Sequence, residues 1–310
     1  MPSSGAFPSR LTLPLSQCLL PAMSYLRHLE ACNRFDSERF LPLLLAGRRV
    51  GFVRRDRARA LEAFPRIFRI ASDGVGFADG LDTPEAVTAA LDEVTDALIR
   101  AGHADRRRSE MFAITDGWRG PLLFELDRAA VPFFGTRSYG VHLNGWRPGA
   151  DGPELWIGKR AKDKKIAPGQ LDNLVAGGMA SGHGAWDTLL KEAAEEADMP
   201  EALAARARAV GAVRYRMELP EGMRDDVLFL YDIETPSDFT PRNTDGEIED
   251  FRILAAKECL RRVRETDDFK FNVNLVLIDF GLRHGLIVPE DQDYLALVEG
   301  LRGSLVRGGR

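Results

Sequence analysis

The sequence predicts an α/β protein in which a mixed sheet is covered by helices on both faces, preceded by a small α+β unit. From Tyr139 onward short strand patterns alternate with helical ones at short connections, the mark of a mixed sheet wrapped on two sides. Before that point the texture differs, with one long amphipathic helix among strands. A chain of 310 residues also exceeds what one hydrophobic core commonly holds, so two units are expected.

Taken in order, residues 1–22 carry a short apolar stretch interrupted by Pro14 and Pro21, and regular patterning begins only at Ser24, after Met23. This segment is expected to be a disordered extension. The α+β unit spans 23–135. Val50 to Arg54 has strand character, Arg55 to Phe64 helical character, and Asp82 to Ala101 is a periodic helix with Thr83-Pro84 at its start and Gly102 just past its end. Strands are expected over Met111 to Trp118 and Leu122 to Leu126, and nothing in this unit has catalytic spacing.

The second unit spans 136–285. Strands are predicted at Tyr139 to Trp146, Leu155 to Lys159 and Leu171 to Val175, a helix over Ala185 to Ala197, and further strands near Val210 to Met217, Val227 to Ile233 and Ile248 to Leu254. A helix begins near Ala256. Helices over Asn272 to Gly285 and Glu290 to Leu301 close the chain, with Gly285 and Pro289 as stop and start, so 286–310 reads as a C-terminal helix and tail. No internal repeat or low-complexity tract is present.

Composition narrows the class. Hydrophobic residues make up 45% and charged residues 29%, an ordinary globular balance. A net charge of -5 with no strongly basic half argues against nucleic-acid or membrane partners, and Arg106 to Arg108 reads as a solvated turn. Cys18, Cys32 and Cys259 have neither disulfide-framework nor zinc-site spacing, and no apolar run reaches the roughly 18 residues of a membrane span. A reducing, cytoplasmic location is expected.

The chemistry concentrates in GGMASGHGAWDTLLKEAAEEADM, residues 177 to 199. At about 100° per residue Glu192, Glu195 and Glu196 share one arc of a helix, opposite Trp186, Leu189, Leu190, Ala193, Ala194 and Ala197. Three carboxylates on one face repel one another by a few tenths of a kcal/mol per pair, a cost that a divalent cation removes. Hard oxygen ligands suit magnesium. Gly177, Gly178, Gly182 and Gly184 let the preceding backbone turn tightly and approach a ligand closely.

This segment resembles a Nudix box, G-x5-E-x7-R-E-U-x-E-E-x-G-U with U a bulky apolar residue. Gly177, Glu192, Glu195, Glu196 and Met199 match it. His183 stands at the first glutamate, Lys191 at the arginine, Ala193 at an apolar position and Asp198 at the late glycine. The flanking YGVHLNGW, WIGKRAKDKKIAPGQLDNLVAGG and FAITDGW resemble a subfamily in which a domain of uncharacterised role precedes the Nudix domain, with plant members and fungal members linked to thiamine diphosphate.

The resemblance implies an α/β/α Nudix sandwich and hydrolysis of a P–O–P linkage in a small-molecule diphosphate, possible thiamine diphosphate derivatives included. The alternatives are nucleotide sugars, dinucleotides, or a non-catalytic ligand-binding module. It implies Mg2+ or Mn2+ held by Glu192, Glu195 and Glu196 and by a main-chain carbonyl at Gly177 or Gly178, with Glu195 or Glu196 also acting in catalysis. A later acidic loop, TDGEIED at 244 to 250, is expected to supply a further catalytic carboxylate, with Glu247 preferred over Asp245 and Glu249. An isomerase on the same scaffold needs a cysteine in the pocket, and none of the three is well placed. A homodimer is compatible with these expectations.

Three more residues are assigned to substrate. Arg160 ends a strand ahead of Lys162, Lys164 and Lys165, and a guanidinium suits a diphosphate. His142 and Asn144, two apart on one strand, share a face and either line the pocket or satisfy buried hydrogen bonds.

Overall fold

The computed structural model describes residues 24–302, so the expected extension over 1–22 and the end of the tail lie outside the described residues. The first helix, α1 (Leu26–Cys32), is followed by an antiparallel pair, β1 (Phe40–Leu45) and β2 (Arg48–Arg54), then by the short strands β3 (Phe68–Ile70) and β4 (Val75–Phe77). These four form a sheet in the order β2-β1-β4-β3. The helical stretch expected over Arg55 to Phe64 is a 3-10 turn at Ala58–Ala63.

Helix α2 (Pro84–Arg100) starts as its sequence demands. Thr83 Oγ1 accepts from Ala86 N, and Pro84 occupies the first turn, where a missing N–H costs nothing. Its buried stripe, Val87, Leu91, Val94 and Leu98, joins the core of this unit. The hairpin β5 (Met111–Thr115) and β6 (Leu122–Asp127) follows. Trp118, expected inside the strand, lies instead at the hairpin tip beyond Gly117, whose φ of 79° turns the chain.

A short helix α3 (Val131–Phe134) leads into β7 (Arg137–Gly149), β8 (Gly152–Arg160), β9 (Leu171–Asp172) and β10 (Val175–Gly178). Then come α4 (Ala185–Ala197), α5 (Glu201–Ala204), β11 (Arg208–Leu219), β12 (Gly222–Glu234), β13 (Ile248–Ala255), α6 (Ala256–Glu265), α7 (Val273–Arg283) and α8 (Tyr294–Arg302). The large sheet runs β11-β12-β7-β8-β13, with β10 on β7 and β9 on β8; β12 and β7 are parallel and the other pairs antiparallel. This is the mixed sheet expected.

Alternating side chains send one face of that sheet to each helical layer. Val141 and Leu143 meet Leu189, Ala193 and Ala197 of α4. Leu155, Ile157, Leu228 and Leu230 meet α6 and α7 through Leu260, Val263, Val276 and Phe280. The same core takes in Tyr25, Leu29 and Cys32 of α1, together with Leu297 and Leu301 of α8. The first helix therefore packs on the large sheet, because the partners of its apolar stripe lie at the far end of the chain. Among the described residues no helix is long and apolar enough to cross a membrane.

The two units touch closely. Trp118 packs on Phe229 and Tyr139, with ring centroids 4.5 and 4.9 Å away. Phe40 and Phe52 of the first sheet enclose Met223 of β12. Ser181 N donates to Met111 O at 2.7 Å, joining the glycine-rich loop to β5.

Candidate active site

Helix α4 is rotated by its apolar stripe. Leu189, Ala193 and Ala197 are fully buried, so at 100° per residue Glu196 and Glu192 fall at the buried edge and Glu195 falls outside. Glu196 is 5% exposed, whereas the Glu195 side chain is 48% exposed. The single acidic face expected from the wheel is thus divided: two carboxylates point in against β10 and one points out.

Glu196 Oε2 accepts from Ala176 N at 2.8 Å. Glu192 fills the space that Gly177 leaves empty, since a Cβ on Gly177 would stand 2.3 Å from Glu192 Cγ and 2.8 Å from its Oε1. Lys191, at the arginine position, pairs with both neighbours, 2.6 Å from Glu195 Oε2 and 3.3 Å from Glu192 Oε1. Asp198, at the late glycine, takes the left-handed conformation (φ 50°, ψ 38°) that ends the helix. An Asp tolerates that geometry better than most residues. His183 is exposed in the loop, its Nδ1 3.3 Å from the Ser181 carbonyl and its backbone N–H on Ala180 O at 3.2 Å.

Burial drives the Glu196 carboxyl well above its ordinary range; the Ala176 N–H opposes this, and the charges of Asp172, Glu192 and Glu247 add to the rise. Burial also raises Glu192, against the pull of Lys191. Buried oxygens crowded by like charge have the chemistry of a hard-cation site, so this donor set fits a divalent metal. Among the described residues no three acidic, His or Cys side chains stand in ligating geometry, because Glu195 is turned onto Lys191.

Beside these groups lies a cavity of about 440 Å³, lined by Ala176, Gly177, Gly178 and Glu247 and by eight Arg or Lys residues against four Asp or Glu. Arg57, His103, Phe112 and Arg128 of the first unit also line it. Such an excess of cations focuses a field suited to an anionic ligand.

The acidic loop reaches this cavity through Glu247, whose carboxylate pairs with Lys164 at 2.6 Å. Asp245 instead caps the loop by accepting from Glu247 N at 2.8 Å, and Glu249 pairs with Lys159 at 2.8 Å. Thr244 Oγ1 donates to Glu195 O at 2.5 Å, which ties the loop to the end of α4.

Arg160 lines the cavity but is committed to the buried Asp172, at 2.7 Å, with Lys270 on the same carboxylate at 3.1 Å. Burial alone would raise Asp172, but Lys270 and Arg160 outweigh it and hold the group below its ordinary value. His142 also lines the cavity; burial pushes its pKa down to about 4, so the ring is neutral near pH 7. Its Nδ1 donates to Asn173 Oδ1 at 2.7 Å, the tautomer required because Asn173 Nδ2 donates in turn to Asn144 Oδ1 at 2.8 Å.

Of the two readings open for Asn144, pocket lining or buried hydrogen bonding, the geometry gives the second, and it is not among the residues lining the cavity. It is 1% exposed, its Nδ2 donates to Asp232 Oδ1 at 2.9 Å, and both ends of its amide are used inside the protein. Lys270, Asp172, Asn173 and Arg128 join the site without any signal in the local sequence pattern. Lys270 lies between two helices and Arg128 in the first unit, where no local spacing marks either as part of a site.

Residues 24–138 match a family model described as a domain of unknown function, DUF4743. The chain is 38% identical over 289 residues to Nudix hydrolase 20, chloroplastic, of Arabidopsis thaliana, covering 90% of this chain and 77% of that protein. It is 38% identical over 282 residues to Nudix hydrolase 24, chloroplastic, of the same plant, with the same coverage. Among solved structures, that of DR0079 from Deinococcus radiodurans overlays 54% of this chain and 97% of that one, with a TM-score of 0.43 and 19% identity.

Proposed function

The chain belongs to the Nudix hydrolases, and from that premise we propose that it is a magnesium-dependent enzyme cutting the P–O–P linkage of a small organic diphosphate. The observation that carries this reading is the position of the buried Glu196 on the Ala176 N–H and of the half-buried Glu192 against Gly177, at the edge of a cation-lined cavity. We assign Glu192 and Glu196 as metal ligands, with Glu195 as the third. Bound there, magnesium would stabilise charge on the phosphoryl oxygens and make a water more acidic.

The chain's own groups supply the remainder. Lys270 and Lys164 bring positive charge to the cavity, and both already hold carboxylates that fix their ammonium groups in place. Glu247, on the cavity wall, is the group we assign to take the proton of the attacking water. Neutral His142 offers Nε2 as an acceptor, since Nδ1 is held by Asn173.

About 440 Å³ suits a ligand of cofactor size. Derivatives of thiamine diphosphate, oxidised forms included, come first among candidates because the flanking segments resemble the subfamily with thiamine-linked members. Nucleotide sugars and dinucleotides come next. The test is product detection across these compounds with added magnesium. Turnover of at least one, abolished by Glu196→Gln, is the expected result. Metal-dependent binding of a compound without turnover of any would replace the catalytic reading with that of a ligand-binding module.

A further inference from the structure

The first unit reaches the cavity at its catalytic end. Arg128, just after β6, lines the cavity, and its guanidinium carbon lies 3.8 Å from the point where a Cβ on Gly178 would stand. Phe112 of β5 reaches 3.0 Å from the same point and carries the Arg128 guanidinium 5.7 Å from its ring centroid. A side chain at position 178 would press on Phe112 and touch the Arg128 guanidinium, so the first unit lies in van der Waals reach of the glycine backbone.

Arg128 is incompletely used. Its Nη1 donates to Glu110 Oε2 at 2.7 Å, and among the described residues Nε and Nη2 have no acceptor. The side chain is 46% exposed. Arg107, in the same unit, shows the contrast: Nε, Nη1 and Nη2 are all taken up by Asp96 and Asp92. The backbone around Arg128 is held firmly, with Arg128 N donating to Glu110 O at 2.9 Å and Ser181 N to Met111 O at 2.7 Å. The guanidinium and the glycine loop are thus parts of one hydrogen-bonded assembly.

We infer that the first unit is part of the substrate-binding machinery, and that Arg128 uses its free N–H groups to bind the phosphate oxygens of the substrate beside Gly178. This rests on the diphosphate reading of the cavity. A guanidinium held over an aromatic ring beside a glycine backbone suits a phosphate, which accepts two parallel N–H bonds from such a group. The unit that precedes the hydrolase sheet then helps decide which diphosphates bind, because its residues line the same cavity.

The test uses the full chain and imidodiphosphate, a non-hydrolysable probe, titrated calorimetrically in magnesium buffer. Arg128→Ala is expected to weaken binding by about tenfold or more, and Arg128→Lys by less, since a point charge remains. Arg106→Ala is the control, because Arg106 is exposed in the same unit and outside the cavity lining. Unchanged binding in Arg128→Ala, or an equal loss in Arg106→Ala, overturns the assignment, as does a wild-type chain that fails to bind the probe at millimolar concentration. Melting temperatures within about 2 °C of wild type show that the half-exposed substitution leaves the fold intact. Turnover is read separately: binding that depends on Arg128, without hydrolysis of any diphosphate offered, removes the catalytic reading and leaves the Arg128 site standing.

Discussion

Gly177→Ala puts the geometry of the acidic cluster to a direct test. The added methyl would stand 2.3 Å from Glu192 Cγ, 2.4 Å from Cδ and 2.8 Å from Oε1. Carbon atoms pack at about 3.5 Å or more, so the Glu192 side chain must retreat by about 1 Å. A displacement of that size at a reacting centre costs roughly a hundredfold in rate. The fold is expected to survive, because Gly177 is not among the positive-φ residues and the obstacle is a side chain that can swing outward. Alanine also narrows the unfolded ensemble, which contributes about 0.4–1 kcal/mol toward stability. The assay is kcat/KM on the best diphosphate substrate, alongside a thermal melt. A variant with wild-type melting and an activity loss of roughly a hundredfold is the expected outcome. Activity within about threefold of wild type would refute the claim that Glu192 must lie against β10, and a chain that does not fold would refute the claim that Glu192 yields.

Two further outcomes follow from the buried titratable groups. Glu196→Gln keeps an acceptor for Ala176 N but removes a buried charge whose folded pKa is raised, so wild type loses stability as pH rises through that value while the variant does not. In metal-free buffer at pH 8 the variant is expected to melt about 3 °C or more above wild type, and saturating magnesium, worth about 2.7 kcal/mol at a hundredfold over Kd, raises only the wild type. A variant that melts below wild type without metal would contradict this. For His142 the folded value of about 4 lies below the unfolded 6.5, so its contribution is present above pH 6.5 and is lost as pH falls toward 4. At about 1.4 kcal/mol per pH unit the loss is roughly 3 kcal/mol, measurable as a steeper acid limb of stability in wild type than in His142→Asn. Parallel limbs would show that the ring does not titrate as described.

Much of the scaffold follows from local patterns. The spacing of Leu189, Ala193 and Ala197 makes α4 and turns one stripe to the sheet; Thr83 and Pro84 start α2 where capping chemistry puts them. Glu192 and Glu196 are found within a five-residue window because helical periodicity is itself local. Strands as short as β3 and β4, three residues each, are not legible in the sequence because so few residues carry no readable period. The pairing of α1 with α8 has no local trace at all.

The sequence alone thus determined the helix that bears the glutamates, the glycine pair beside it and the mixed sheet beneath, because each is written in contacts between near neighbours. Only the tertiary structure decided that Glu195 faces Lys191 while Glu196 is buried, and that Glu247 rather than Glu249 reaches the cavity. It also showed that Asn144 is consumed inside the protein, and that Lys270 and Arg128 belong to the same cavity. These outcomes depend on the rotation of a helix against a sheet and on the meeting of segments up to about 140 residues apart, and burial and charge act on the assembled geometry, which no window of the chain contains.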